Sequence, residues 1–167
     1  MIHDFKECLE RSNNYSNEPW WEGVYKNAFP TMKEMVNIPD DGWAQRAGID
    51  RILILNSGKT LYIDEKVRES SYNDILLEYW SSIESKIPGW IAKDLATDFI
   101  AYVFKPTKKC YMLPFQLLRL SWKKNHREWV KNHRIVEAKN KNYTTVSVCV
   151  PIEILLESIK KSILIEW

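Results

Sequence analysis

From Gly48 onward the chain alternates. Ile49-Asp-Arg-Ile-Leu-Ile-Leu55 is apolar and β-branched and predicts a strand, Asn56-Ser57-Gly58 predicts a turn, and Leu61-Tyr-Ile-Asp-Glu-Lys-Val-Arg68 has the period of two of a half-buried strand. Asp74–Trp80 predicts a third strand, Asp98–Phe104 a fourth, Lys109–Leu113 a fifth and Thr144–Val150 a last one. Helical patterning occupies the ends. A short amphipathic helix is expected over residues 3–11, a longer one over Trp20–Met35 with a break near Pro30, and a brief one over Trp43–Ala47 capped by Asp40 or Asp41. Pro114 stands where a first helical turn accepts proline, so a helix is expected from there through Lys131, and another over residues 152–162. Helix, meander of strands, helix, strand, helix predicts an α/β protein with a mixed β-sheet flanked by α-helices.

Composition changes this picture little. The 167 residues suit one domain over 1–167, with a core near 20–130 and a strand and helix over 144–162, and 45% hydrophobic residues predict a packed interior. The three cysteines are an odd number without a CxxC pair, which argues against a disulfide framework or a zinc site. No apolar leader opens the sequence, and Val146–Leu156 is too short and too interrupted to span a membrane. The expectation is a soluble cytoplasmic protein of a prokaryotic cell or phage host. A net charge of +2 permits a nucleic-acid partner without requiring one.

Register brings out the chemistry. With a three-residue loop at Asn56–Gly58, Leu55 pairs with Lys59, and counting outward sets Asp50 opposite Asp64. Directly opposed side chains sit about 4.5–5.5 Å apart at Cβ. Two carboxylates at that spacing repel, and a divalent cation between them removes the cost. Lys66 shares the face of Asp64, while Glu65 points to the other side and outward, its backbone carbonyl staying near the cation. A register slip of one residue would exchange Glu65 for Asp64. A lysine beside the cation can orient an attacking water, and the parts together suffice for phosphodiester hydrolysis. The tripeptide (Asp/Glu)-x-Lys by itself says little: it recurs at Asp4, Glu84 and Glu137 with no opposing Asp across a hairpin.

Gln45-Arg-Ala-Gly-Ile-Asp50 followed by Tyr62-Ile-Asp64-Glu-Lys66 resembles the PD-(D/E)xK nuclease superfamily, with Ile49 in place of the name-giving proline. The resemblance covers about residues 20–130 and is strongest over 45–68. It implies a restriction-endonuclease-like core, Asp50 and Asp64 as ligands of Mg²⁺ (or Mn²⁺), and Lys66 as the catalytic lysine. It also implies an acidic residue on the first core helix, for which Glu34 is the candidate with Glu22 behind it, while Gln45 near the first strand is an alternative. Glu78, on the third expected strand, is a further ligand, a partner of Lys66 or a plain strand-end glutamate.

Residues 119–134 are locally basic, and Trp122 and Trp129, seven apart, share a helical face. A buried tryptophan face would leave Lys123, Lys124, Arg127, Lys131 and Arg134 to meet a phosphate backbone. His126 and His133 have the wrong helical spacing for a metal pair. The expectation is therefore a Mg²⁺-dependent endonuclease acting on DNA rather than RNA. Cutting both strands of a duplex needs two sites, which a homodimer supplies most simply. The rival is a catalytically silent protein on the same fold that binds nucleic acid or a protein partner.

Overall fold

The alternating stretches become two sheets rather than one. The computed structural model describes residue 15 and residues 17–38 and 42–163, apart from the Gln45 side chain. The helix expected over 3–11, the Asp40 or Asp41 cap and the orientation of Gln45 lie outside the described residues. In chain order the elements are α1 (Trp20–Ala28), β1 (Met32–Asn37), α2 (Gly42–Ala47), β2 (Arg51–Leu55), β3 (Thr60–Arg68), β4 (Asp74–Ser82), β5 (Ile87–Pro88), β6 (Phe99–Phe104), a 3₁₀ turn (Lys105–Thr107), β7 (Lys109–Pro114), α3 (Phe115–Asn132), β8 (Ile135–Lys139), β9 (Thr144–Pro151) and α4 (Ile152–Lys161). The protein is α/β, with one mixed and one antiparallel sheet, and it divides into two compact units.

Of the described residues, the first unit holds those up to Ser71 and residues 94–115. Its five-stranded sheet runs β1-β2-β3-β6-β7, antiparallel throughout except for the parallel pair β3–β6. A parallel pair cannot be closed by a hairpin and needs a long crossover. Here the whole segment from residue 69 to residue 98 intervenes, so the expected third strand over Asp74–Trp80 is not the neighbour of β3. The β2–β3 hairpin closes through Asn56–Gly58, with Gly58 at φ 82° and Leu55 N–H bonded to the Lys59 carbonyl at 2.9 Å. Only glycine takes that φ freely.

Alternation then gives the sheet two different faces. Leu53, Leu61, Ile63, Ala101 and Val103 form a buried cluster with Trp21 and Tyr25, one helical turn apart on α1, whose rings stack at 5.3 Å. The other face carries Tyr62, Asp64 and Lys66, with Ile100 and Tyr102 beside Asp64 and Lys66 in the parallel ladder. The helix expected as far as Met35 stops at Ala28, and Met32–Asn37 is a strand instead. Its Met, Lys and Glu favour helix in isolation. Pro30 breaks the helix, and pairing with β2 recruits the segment to the sheet edge.

Of the described residues, the second unit holds residues 72–93 and 116–163. Its four-stranded antiparallel sheet runs β5-β4-β9-β8. The amphipathic α4 buries Ile152, Leu155 and Ile159. The Trp122 ring of α3 lies 5.8 Å from that of Tyr79 on β4, and Ser121 and Asn125 of α3 bond to Ser162 and Ser158 at 3.0 and 2.9 Å. Among the described residues no helix is long and apolar enough to cross a membrane.

Candidate functional site

The two aspartates are brought together by the hairpin. The β2–β3 ladder ends at Arg51 and Ile63, so Asp50 and Asp64 are the next residues outward on each strand, as the sequence register requires. The approach to Asp50 is built tightly. Gly48 takes φ 70°, turning the chain from α2 toward β2, and a Cβ there would stand 2.8 Å from the Leu95 side chain. Ile49 N–H then bonds to the Ala44 carbonyl at 2.9 Å and Asp50 N–H to the Ile63 carbonyl at 2.9 Å.

The Asp50 side chain is anchored as well. Its Oδ2 accepts the backbone N–H of Glu65 at 2.7 Å. Asp64 is set from the opposite side by the start of β6. Asp98 Oδ2 accepts the Tyr62 N–H at 2.8 Å, and the Asp98 N–H and the Thr97 hydroxyl both donate to the Tyr62 carbonyl, at 2.8 and 3.0 Å. The residue two positions before Asp64 is therefore fixed on both sides of its peptide.

Asp64 is nearly inaccessible to solvent, at 3% exposure. Burial, opposed by the Lys66 charge and reinforced by the Asp50 carboxylate, pushes its carboxyl from 3.8 up to about 7. The Lys66 ammonium donates to Asp64 Oδ1, and its side chain remains one-third exposed. The site is thus a buried carboxyl, a second carboxylate close enough to disturb its ionisation, and a partly exposed ammonium, all at one end of one hairpin. Among the described residues no three His, Cys, Asp or Glu side chains gather in a metal-binding group. A cation here would rest on two carboxylates, with backbone oxygen and water completing its shell.

Glu65 faces the other side of the sheet, but not outward. It is buried against α1 at 8% exposure, in an ion pair with Arg51 and a hydrogen bond from Tyr25. No register slip exchanges it with Asp64. Arg51 was not singled out in the sequence, although the signal was present: the register that opposes Asp50 and Asp64 sends Arg51 and Glu65 together to the reverse face. Asp98 carried no comparable signal, because its role depends on which strand pairs with β3.

The other candidates are placed separately. Glu34 is exposed on the edge strand β1, not on the first core helix. Glu22 is on α1 but exposed, in an ion pair with Lys26 at 2.6 Å. Glu78 belongs to the second unit, on β4, where it accepts the Ser81 hydroxyl at 2.6 Å. On α3, Trp122 and Trp129 are buried and Lys123, Lys124, Arg127 and Lys131 exposed, as is Arg134 just beyond it. Arg134 reaches Asp74 at 3.8 Å.

No family model, curated protein or solved structure matches the chain. What the site can do therefore rests on its own geometry.

Proposed function

We propose that the chain is a metal-dependent endonuclease that hydrolyses DNA phosphodiester bonds, with Asp50 and Asp64 holding Mg²⁺ or Mn²⁺ and Lys66 orienting the attacking water. One observation carries the reading. Two aspartates meet across a hairpin, one of them buried enough to be pushed up to about 7, with a lysine two residues on from it along the same strand face. As a purely structural device this is costly, since like charges in low dielectric oppose each other. A hard divalent cation offsets that cost, so the donor set fits the proposed metal. When bound, such a cation lowers the pKa of water and neutralises phosphate charge.

The chain's own groups have distinct roles in this scheme. Asp50 and Asp64 bind, and the bond from Glu65 N–H keeps one Asp50 oxygen directed along β3. Lys66, partly exposed, can leave Asp64 to hold a water or a phosphate oxygen at its ammonium. The exposed cations Lys123, Lys124, Arg127, Lys131 and Arg134 would grip the phosphate backbone, and a homodimer would supply a site for each strand. The protein would meet this substrate in the cytoplasm.

The test is cleavage of supercoiled and linear DNA with Mg²⁺ or Mn²⁺ by wild type and Lys66→Ala. The expected result is metal-dependent nicking or cutting by wild type that falls at least about a hundredfold in the variant. Equal activity in both overturns the assigned site. Inactivity of both on DNA and RNA replaces the nuclease with the catalytically silent binding protein.

A further inference from the structure

The residues that follow the two aspartates are joined to each other. Arg51 comes after Asp50 and Glu65 after Asp64, so alternation sends both to the α1 face of the sheet. There the Arg51 guanidinium grips both oxygens of the Glu65 carboxylate, Nε to Oε1 at 2.9 Å and Nη2 to Oε2 at 3.2 Å. The Tyr25 hydroxyl donates to the same Oε1 at 2.6 Å. All three side chains are buried, Tyr25 completely.

Stability alone does not call for this arrangement. Desolvating two charges costs as much as their attraction returns, and apolar residues of similar volume are often neutral or better in their place. What the fork adds is geometry: two parallel bonds between planar groups resist sliding and rotation as an aliphatic contact does not. The motion it resists is a shift of β2 against β3 one residue from Asp50 and Asp64. Glu65 is bound to the start of β2 twice, by its side chain to Arg51 and by its backbone N–H to Asp50.

We propose that Arg51, Glu65 and Tyr25 form a clamp behind the sheet that positions Asp50 and Asp64 to bind a divalent cation. They are positioning residues, since none lies on the face of the two aspartates. The proposal rests on the metal-site reading above, but it concerns cation affinity and not cleavage.

The experiment measures Mn²⁺ affinity by electron paramagnetic resonance without nucleic acid, alongside thermal midpoints in EDTA. The variant Tyr25→Phe/Arg51→Met/Glu65→Leu removes all three polar groups and leaves no unpaired charge from the clamp. Its midpoint should equal or exceed that of wild type, while Mn²⁺ binding weakens by at least about tenfold, the scale on which groups that orient metal ligands act. Wild-type affinity in the folded variant overturns the clamp and leaves the metal site standing. No Mn²⁺ binding by wild type overturns both. Should the triple variant fail to fold, Arg51→Lys decides: it keeps a positive charge beside Glu65 but removes the two-bond fork, and several-fold weaker binding supports the clamp where unchanged binding overturns it. A wild type that binds Mn²⁺ but cuts nothing removes the nuclease reading alone.

Discussion

Asp50 Oδ2 accepts the backbone N–H of Glu65 at 2.7 Å, so the first carboxylate of the site is held by the strand that carries the second. A side chain tied in this way has little rotamer freedom left to lose on binding a ligand. On the proposed metal-site reading, cation binding and hairpin geometry are therefore coupled.

That coupling predicts a thermal shift. Binding to the folded state alone stabilises by RT ln(1 + [L]/Kd), about 2.7 kcal/mol at a hundredfold excess over Kd, and a chain of this size gains about 2–4 °C per kcal/mol. Mn²⁺ or Mg²⁺ should raise the melting temperature of wild type by roughly 5–10 °C, and Asp50→Ala should abolish the rise. Differential scanning fluorimetry over a metal titration checks both. An equal rise in the variant would place the cation elsewhere.

Asp64 predicts how stability depends on pH when divalent metal is removed. Its carboxyl stands at 3.8 ordinarily and at about 7 in the fold. Between those values the folded protein retains a proton that the unfolded chain has released. The folded state therefore binds more protons, and this group's contribution falls as pH rises from about 4 to about 7. Asp64→Asn removes the ionisation, so in EDTA it should be more stable than wild type at pH 8, with the advantage shrinking toward pH 4. Urea midpoints at several pH values decide, and a variant less stable than wild type at pH 8 would overturn the assignment. A stabilising substitution within a proposed active site is the ordinary trade of stability against function.

Gly48 and Gly58 both have positive φ, at 70° and 82°, but different surroundings. A Cβ at Gly58 meets nothing within 4 Å, whereas at Gly48 it would stand 2.8 Å from the Leu95 side chain. Gly58→Ala should thus cost only the backbone penalty of about 1–2 kcal/mol. Gly48→Ala should cost more and also weaken Mn²⁺ binding, because the displaced turn leads into Asp50. Urea unfolding of the two variants side by side gives the ordering, and equal costs would show that Leu95 yields freely.

The aspartate pair was legible in the sequence because a short loop with glycine at its last position fixes hairpin register. Once Leu55 is matched to Lys59, the opposition of Asp50 and Asp64 is arithmetic. What that arithmetic could not supply was burial. Glu65 reads as an outward charge until α1 is known to lie over its face with Tyr25 directed at it. Sheet membership was also hidden, since β4 has the composition of any strand, and only pairing with β9 puts it in a second sheet. Three edge strands were missed outright: β1, whose Met, Lys and Glu read as helix, β5, whose Pro88 stands before Gly89 and reads as a turn, and β8, whose Ile135–Lys139 carries charge on its solvated positions. Glu34 was misplaced with β1, because an acidic residue cannot be put on a helix that has already ended.

The basic residues around α3 predict a salt dependence that distinguishes grip from mere surface charge. Each phosphate contact to duplex DNA contributes about 0.9 to the slope of log K against log salt. Lys123, Lys124, Arg127 and Lys131 are exposed, with the tryptophans of α3 buried. Changing any one of them to Gln should lower affinity uniformly across DNA sequences and reduce the slope by about one contact. Arg134 is exposed too, but it already reaches Asp74 at 3.8 Å and lies 6.0 Å from the Tyr72 ring. Turning to DNA would require leaving both, so Arg134→Gln should change the slope least. Fluorescence anisotropy with a short labelled duplex in Ca²⁺, from about 50 to 200 mM salt, measures each slope. If the four exposed variants keep the wild-type slope, α3 is a solvated helix and the DNA-contacting surface lies elsewhere.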